Sequence, residues 1–338
     1  MEIQQYNFEL ERVDLFLGLI DSLYSKSQNI DLYKKSIRES LSDKNPFFKF
    51  GGVESFIALD NNDPIGHISA IIDKRLPGLG FIGFFESKNA AIAKELVDKV
   101  VGWFKGQGIN TIRGPVNLSI WHRYRFVSEG DFTASFLLEP FNLPDYPNYF
   151  KDNGFKVAED YISGLRHDFK DIMDYTKVGF ESMAEKGVSI RSIDLSKFED
   201  ELKIFHQLSL EIFKESWSFV PISFDEFKSL YVGLEKVIDP KYCEFMCKDG
   251  KEIGFCFSIP DFTNPDKCLI LKTIGLLPEY QKQNLGSALI YSQHVKATED
   301  GYKTIIYALI REGNRASKIN PYGATIFRQY QTYELNLS

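Results

Sequence analysis

Leu271-Lys272-Thr273-Ile274-Gly275-Leu276-Leu277-Pro278-Glu279-Tyr280-Gln281-Lys282-Gln283-Asn284-Leu285-Gly286-Ser287-Ala288-Leu289 is the stretch that decides the fold of this chain. Its apolar first part reads as a buried strand that breaks at Pro278, and a short polar loop then leads into a helix at about Asn284. Leu285, Ala288, Leu289 and Val295 keep a helical spacing, which predicts an apolar face turned toward a sheet. Gln281 to Ser287 then lie where several backbone N–H groups have no partner within the helix. Such a turn suits a phosphate, because the orphan donors and the positive end of the helix dipole act together. Gly286, with no Cβ, lets a bulky anion approach the backbone.

Outward from that stretch, the elements form a repeated order. Tyr242 to Cys247 and Ile253 to Ile259 flank Asp249-Gly250, a hairpin turn. The strand Leu269 to Leu277, the Asn284 helix and the strand Thr304 to Ile310 follow. The first half has the same order. Ser55 to Leu59 and Ile65 to Ile72 flank Asp60-Asn61-Asn62-Asp63-Pro64, then come a strand at Gly80 to Glu86 and a helix from Asn89 to Lys105. That helix has Ile92, Leu96, Val100 and Phe104 as its buried stripe, and Thr111 to Arg113 begin the next strand. Each half opens with helical segments, Val13 to Tyr24 and Leu32 to Leu41 in one, Phe198 to Lys214 and Phe224 to Leu234 in the other. Corresponding elements are offset by roughly 190 residues, as a duplication would leave them. The expected fold class is α/β (mixed α+β), with two tandem domains over residues 1–186 and 187–338. The border is placed near Glu185-Lys186-Gly187, before Val188-Ser189-Ile190 opens a new strand.

The run Pro278 to Leu289 resembles the acyl-CoA-binding signature of the GNAT N-acyltransferase superfamily: Arg or Gln, two residues, Gly, one residue, Gly or Ala. Gln281 and Gly286 fit it, and Asn284 replaces the first glycine, a mild change because Asn tolerates a left-handed backbone. Asn45-Pro46-Phe47-Phe48, Gly83-Phe84-Phe85-Glu86, Gly114-Pro115-Val116-Asn117 and Tyr146 to Phe155 are similar to segments of bacterial GNAT-like proteins. The resemblance implies two GNAT-like domains, each a mostly antiparallel sheet flanked by helices, and acetyl-CoA or another acyl-CoA as co-substrate. It also implies that the strand Ile274, Leu276, Leu277 binds the pantetheine arm through its backbone. The Leu277 N–H becomes a candidate carbonyl polariser, and Gln281, Lys282, Gln283, Asn284, Leu285, Gly286 and Ser287 cradle the pyrophosphate. Asn314 fits the asparagine that often follows the next strand, and Tyr322 stands near the tyrosine that protonates the leaving thiolate, although Pro321 precedes it. Glu244 on the hairpin is the candidate base, with an exposed strand carboxylate as the plainer reading. The first half has Glu86-Ser87-Lys88-Asn89 where the glycine loop would be, and Glu86 would repel a pyrophosphate. One cofactor site is therefore expected, in the C-terminal half. Trp121-His122-Arg123-Tyr124-Arg125 either line a site for an anion or form an ordinary packed loop.

Composition narrows the remaining choices. The chain has 338 residues, 43% of them hydrophobic, which is enough for two cores. A net charge of -7 argues against non-specific nucleic-acid binding. Met1-Glu2-Ile3-Gln4-Gln5 lacks the start of a signal peptide, and Val13 to Tyr24 is too short to span a bilayer, so a cytoplasmic protein without a membrane partner is expected. Cys243, Cys247, Cys256 and Cys268 lack zinc-knuckle spacing and are read as free thiols, with no metal. His206 and His294 read as surface or half-buried residues. The leading expectation is acetyl transfer to a small amine or amino-acid-like acceptor by direct attack on the thioester. The alternatives are a CoA-binding or ligand-sensing protein that keeps the fold, and a tRNA-dependent aminoacyl transferase, which the intact Gln281 to Gly286 region disfavours.

Overall fold

The computed structural model describes every residue except 8, 25–29, 133–134, 265, 314–322 and 338. It divides into two compact units, Met1–Asp160 with Gln329–Ser338, and Tyr161–Arg328. Among the described residues no helix is long and apolar enough to cross a membrane.

The first unit begins with β1 (Glu2–Tyr6), α1 (Leu10–Leu23) and α2 (Ile30–Ser40), then β2 (Gly51–Asp60), β3 (Asp63–Asp73) and β4 (Leu79–Ser87). Helix α3 (Ala90–Gly106), β5 (Thr111–Gly114), β6 (Phe126–Gly130) and α4 (Tyr146–Asp152) complete it. Asn61 and Asn62, at φ 50° and 70°, make the β2–β3 turn as a hairpin of twisted strands requires. Strands β1 to β4 pair antiparallel in sequence order, and β5 returns parallel to β4 through α3. Asn89 caps α3 by accepting the Ile92 N–H at 3.0 Å. Ile92, Leu96, Val100 and Phe104 bury the expected stripe against Phe56, Ile68 and Ile82.

The second unit takes up the chain in β7 (Lys156–Arg166) and continues through α5 (Lys170–Glu181), β8 (Val188–Ser192), α6 (Phe198–Ile212) and α7 (Phe224–Ser229). Then come β9 (Cys243–Lys248), β10 (Lys251–Pro260), β11 (Cys268–Leu276), α8 (Leu285–Glu299) and β12 (Thr304–Arg311). Strands β8 to β11 pair antiparallel, and β12 lies parallel to β11. Asp249 and Gly250, at φ 50° and 75°, form the expected hairpin turn. The layout is the mixed, mostly antiparallel sheet with flanking helices anticipated from the order of elements.

The units do not follow the border expected at 186/187, because the two halves trade their last strands. In the first unit β5 pairs with Tyr333–Asn336 of β13 (Thr325–Asn336), which arrives from the far end of the chain. In the second unit β12 pairs with Tyr161–Arg166 of β7, which the first half of the sequence supplies. Helix α5 belongs with α8, since an added Cβ on Gly179 would stand 2.8 Å from Asn284 O. Helix α8 also differs in detail. Ser292, Gln293 and His294 are buried, while Val295 is only half-buried, so its inner face is partly polar.

Candidate active site

The second unit opens its own sheet next to the glycine loop. Strands β11 and β12 stay paired from Cys268↔Thr304 to Leu271↔Tyr307. Beyond that point both leave the register. On β11 the pairing with β10 jumps from Leu271↔Ser258 to Thr273↔Phe257, so Lys272 is the extra residue of a β-bulge. On β12 the pairing with β7 jumps from Tyr307 to Ile310, with Leu309 at φ 57° and its N–H turned to Ser163 Oγ at 3.0 Å. The two bulges part the strands.

Backbone alternation tells which groups face the parting. Leu277 N–H donates to Ile253 O on β10 at 2.9 Å. The amides of Ile274 and Leu276, out of phase with Leu277, therefore point to the edge that β12 has left. This corrects the role expected for Leu277, whose N–H is already engaged. The Leu276 carbonyl on that edge accepts the Gln281 Nε2–H at 3.0 Å, so the Gln281 side chain ties the loop to the end of β11.

The loop itself is left-handed at Lys282 (φ 62°) and Asn284 (φ 63°). Asn284 occupies the N-cap of α8 in that conformation, without a side-chain cap to the helix backbone. This is the geometry for which a glycine would ordinarily be used, and Asn supplies it. Its Oδ1 instead accepts the Ser287 Oγ–H at 2.7 Å. The N–H groups of Leu285, Gly286 and Ser287 are the orphan donors of the first helical turn, and the left-handed residues before them make an anion-binding concavity. Gln281 to Gln283 are exposed. An added Cβ on Gly286 would meet only Leu276 Cδ1, at 3.9 Å, so internal packing does not require glycine here.

Sequence reasoning missed what holds this loop. Gly179 on α5 lets that helix touch Asn284 and Ser287, where an added Cβ would come within 2.8–2.9 Å. Lys186 Nζ donates to Gln283 O at 3.0 Å. Neither contact leaves a local signal, since each joins residues about a hundred positions apart.

Glu244 is not the exposed carboxylate of the plainer reading. It is fully buried on β9 and accepts from Ser292 Oγ at 2.6 Å, Gln293 Nε2 at 2.6 Å and Lys296 Nζ at 2.5 Å, all on α8. Its oxygens are spent on fixing the helix that follows the loop. His294 is also buried, its Nδ1 against Ile290 O and its Nε2 2.7 Å from Tyr307 OH, and burial lowers its pKa to about 4. His206 is half-buried, with its Nε2 2.8 Å from Ile222 O. Asn314 and Tyr322 lie outside the described residues. The four cysteines are free thiols; burial raises Cys243 and Cys268 to about 12, and it raises Cys256 as well. Among the described residues no three His, Cys, Asp or Glu side chains gather as metal ligands.

The matching place in the first unit is closed. Strands β4 and β5 stay paired only from Leu79↔Thr111 to Phe81↔Arg113. Beyond that, Val116 N–H bonds Ile82 O at 2.8 Å and Asn117 Oδ1 accepts the Phe84 N–H at 2.8 Å. Gly83 permits the approach, for a Cβ there would stand 2.2 Å from Val116 O. The Gly-Pro-Val-Asn segment thus fills the edge that stays open in the second unit.

Comparison with known proteins agrees with this reading of the fold. Residues 205–319 match the model of the Acetyltransferase (GNAT) family. A bacterial ceramide synthase from Caulobacter vibrioides is 23% identical over an alignment covering 96% of this chain and 94% of that protein. Among solved structures, a tandem GNAT protein from the clavulanic acid biosynthesis pathway superposes with a TM-score of 0.59 at 12% identity, covering 99% of this chain and 98% of that one. A GCN5-related N-acetyltransferase from Sphaerobacter thermophilus does so with a TM-score of 0.54 at 9% identity, covering 99% and 95%. Together with the two repeated units and the parted strands beside a glycine loop, these likenesses show a GNAT-family match within the second unit and a tandem GNAT-like fold over the whole chain.

Proposed function

We propose that this protein is an acyl-CoA-dependent N-acyltransferase whose single donor site lies in the second unit. The observation that carries the reading is the open edge of β11 at Ile274 and Leu276, continuous with the uncapped N-terminus of α8 at Gly286. The pantetheine arm would lie along that edge as an added strand, and its pyrophosphate would sit on the N–H groups of Leu285 to Ser287, with Lys282 adding charge. The Ile274 or Leu276 N–H would polarise the thioester oxygen. The amine lone pair attacks the thioester carbon, the C–S bond breaks, CoA leaves as a thiolate, and the proton released by the amine balances that charge. Glu244, held in its ion pair, takes no part in this reading.

The sequence resemblance favours an acetyl group and a small or amino-acid-like amine. A second reading is supported by the nearly full-length likeness to a ceramide synthase, a protein named for making a long-chain amide. On that reading both donor and acceptor carry long chains. One assay separates them: thiol release from acetyl-, hexanoyl- and palmitoyl-CoA, each against small amines, amino acids and sphinganine. Amine-dependent release that Gly286→Glu abolishes would support the enzyme, and the most active pair selects the reading. Saturable CoA binding without turnover on any acceptor would favour a ligand-sensing protein, and no binding would overturn the donor site.

A further inference from the structure

The corner where β8 meets β9 delivers two lysines to the glycine loop, and neither has a part in the reaction above. Lys186 sits in a tight turn, with Gly187 at φ 65° and the Val188 N–H bonded to Met183 O at 2.9 Å, and its Nζ donates to Gln283 O at 3.0 Å. Val188 pairs with Lys248 across the two strands, and Lys248 Nζ stands 5.8 Å from the centre of the Tyr280 ring. Both side chains thus flank the Tyr280–Gln283 turn, to which Lys282 adds a third, exposed ammonium group.

Among the described residues no carboxylate forms an ion pair with any of the three, whereas Lys170, Lys177, Lys241 and Lys296 of the same unit are all paired. In a chain of net charge -7, unpaired ammonium groups gathered at one turn concentrate a positive potential there. Lys186 spends one of its three donors on Gln283 O, and Lys248 makes no hydrogen bond among the described residues, so donors remain on both. The N–H groups of Leu285 to Ser287 lie on the helix side of the loop and already serve a pyrophosphate. The lysines stand at its other side, where a further anion would be met. A CoA thioester carries such a group, the phosphate monoester on its ribose, which holds nearly two charges at neutral pH.

We propose that Lys186 and Lys248 hold the ribose phosphate of the donor, so that the site selects a free CoA thioester over one lacking that phosphate, such as a thioester on protein-bound phosphopantetheine. The inference rests on the donor site proposed above and names what that site reads beyond the pyrophosphate.

The test is calorimetric titration of the full chain with CoA and with dephospho-CoA, which lacks only that group, at low and at moderate salt. CoA should bind at least about tenfold more tightly, and the ratio should shrink as salt is added. Lys186→Met and Lys248→Met should each weaken CoA several-fold and leave dephospho-CoA near its parental affinity, while Lys186→Arg keeps the preference. Should Lys186→Met fail to fold, Lys248→Met decides, because Lys248 makes no bond to the loop backbone. Equal affinity of the parent for the two nucleotides, or variants that weaken both in the same proportion, would overturn the proposal and leave the donor site standing, with the lysines as loop supports. Binding of neither nucleotide would overturn the donor site and this inference with it.

Discussion

Lys296 Nζ stands 2.5 Å from Glu244 Oε1, joining the last turn of α8 to a strand carboxylate that is fully buried. Removing one partner leaves the other charge stranded. Lys296→Met should therefore cost roughly 3 kcal/mol, the low end for a broken buried pair, because Ser292 and Gln293 still bond the carboxylate. Adding Glu244→Gln should recover part of that loss. Urea denaturation of the two single variants and the double variant measures the coupling, and additive losses would show that the pair does not act as one.

Gly179 sets the distance between α5 and the glycine loop. Gly179→Ala places a methyl group 2.8 Å from Asn284 O, a backbone atom that cannot swing aside. The loop should shift, weakening acetyl-CoA about tenfold while costing roughly 1–3 kcal/mol of stability. Calorimetry paired with thermal melting reads both effects. A stability loss with unchanged affinity would leave α5 as packing alone.

Gly286→Glu has room within the fold, since its Cβ would touch only Leu276. The new carboxylate lies where the proposed pyrophosphate would sit. Melting should stay near the parent value and CoA binding should vanish, whereas unchanged affinity would move the donor elsewhere.

Glu86 makes a pH signature. Its folded pKa of about 7 lies above the ordinary 4.5, so the folded state holds the proton more tightly. The resulting stabilisation is full below about pH 4.5 and is lost as pH rises toward 7, a change of roughly 3 kcal/mol. Buried His67 and His294, lowered to about 3 and 4, act in the opposite sense, losing stability as pH falls below 6.5. The clean observable is therefore the difference between parent and Glu86→Gln across pH 4.5 to 7.5. A flat difference would mean that Glu86 titrates normally.

Local chemistry made much of this fold legible. Asp249-Gly250, the break at Pro278 and the apolar stripe of α3 each follow from neighbours in sequence. The strand exchange through β7 and β13 does not, because it pairs segments far apart in the chain and leaves no periodicity of its own. The loop Gln281–Ser287 was legible as a helix entry, yet its support from Gly179 and Lys186 was not. Glu244 misled for a related reason: a carboxylate on a strand reads as exposed unless its partners on α8 are known. The strand was expected to run through Leu277 but ends at Leu276, and only the bond of the Leu277 N–H to Ile253 O decided that this amide faces β10.

The burial of the thiols has a consequence for how the protein endures its surroundings. Cys243, Cys256 and Cys268 stay protonated at neutral pH behind packed side chains, and a protonated thiol is a poor nucleophile. These residues should neither collect stray acyl groups from activated thioesters nor react readily with iodoacetamide. Prompt alkylation of the folded chain would then report on Cys247, the half-buried member, and slow alkylation of the others would time the opening of the second unit.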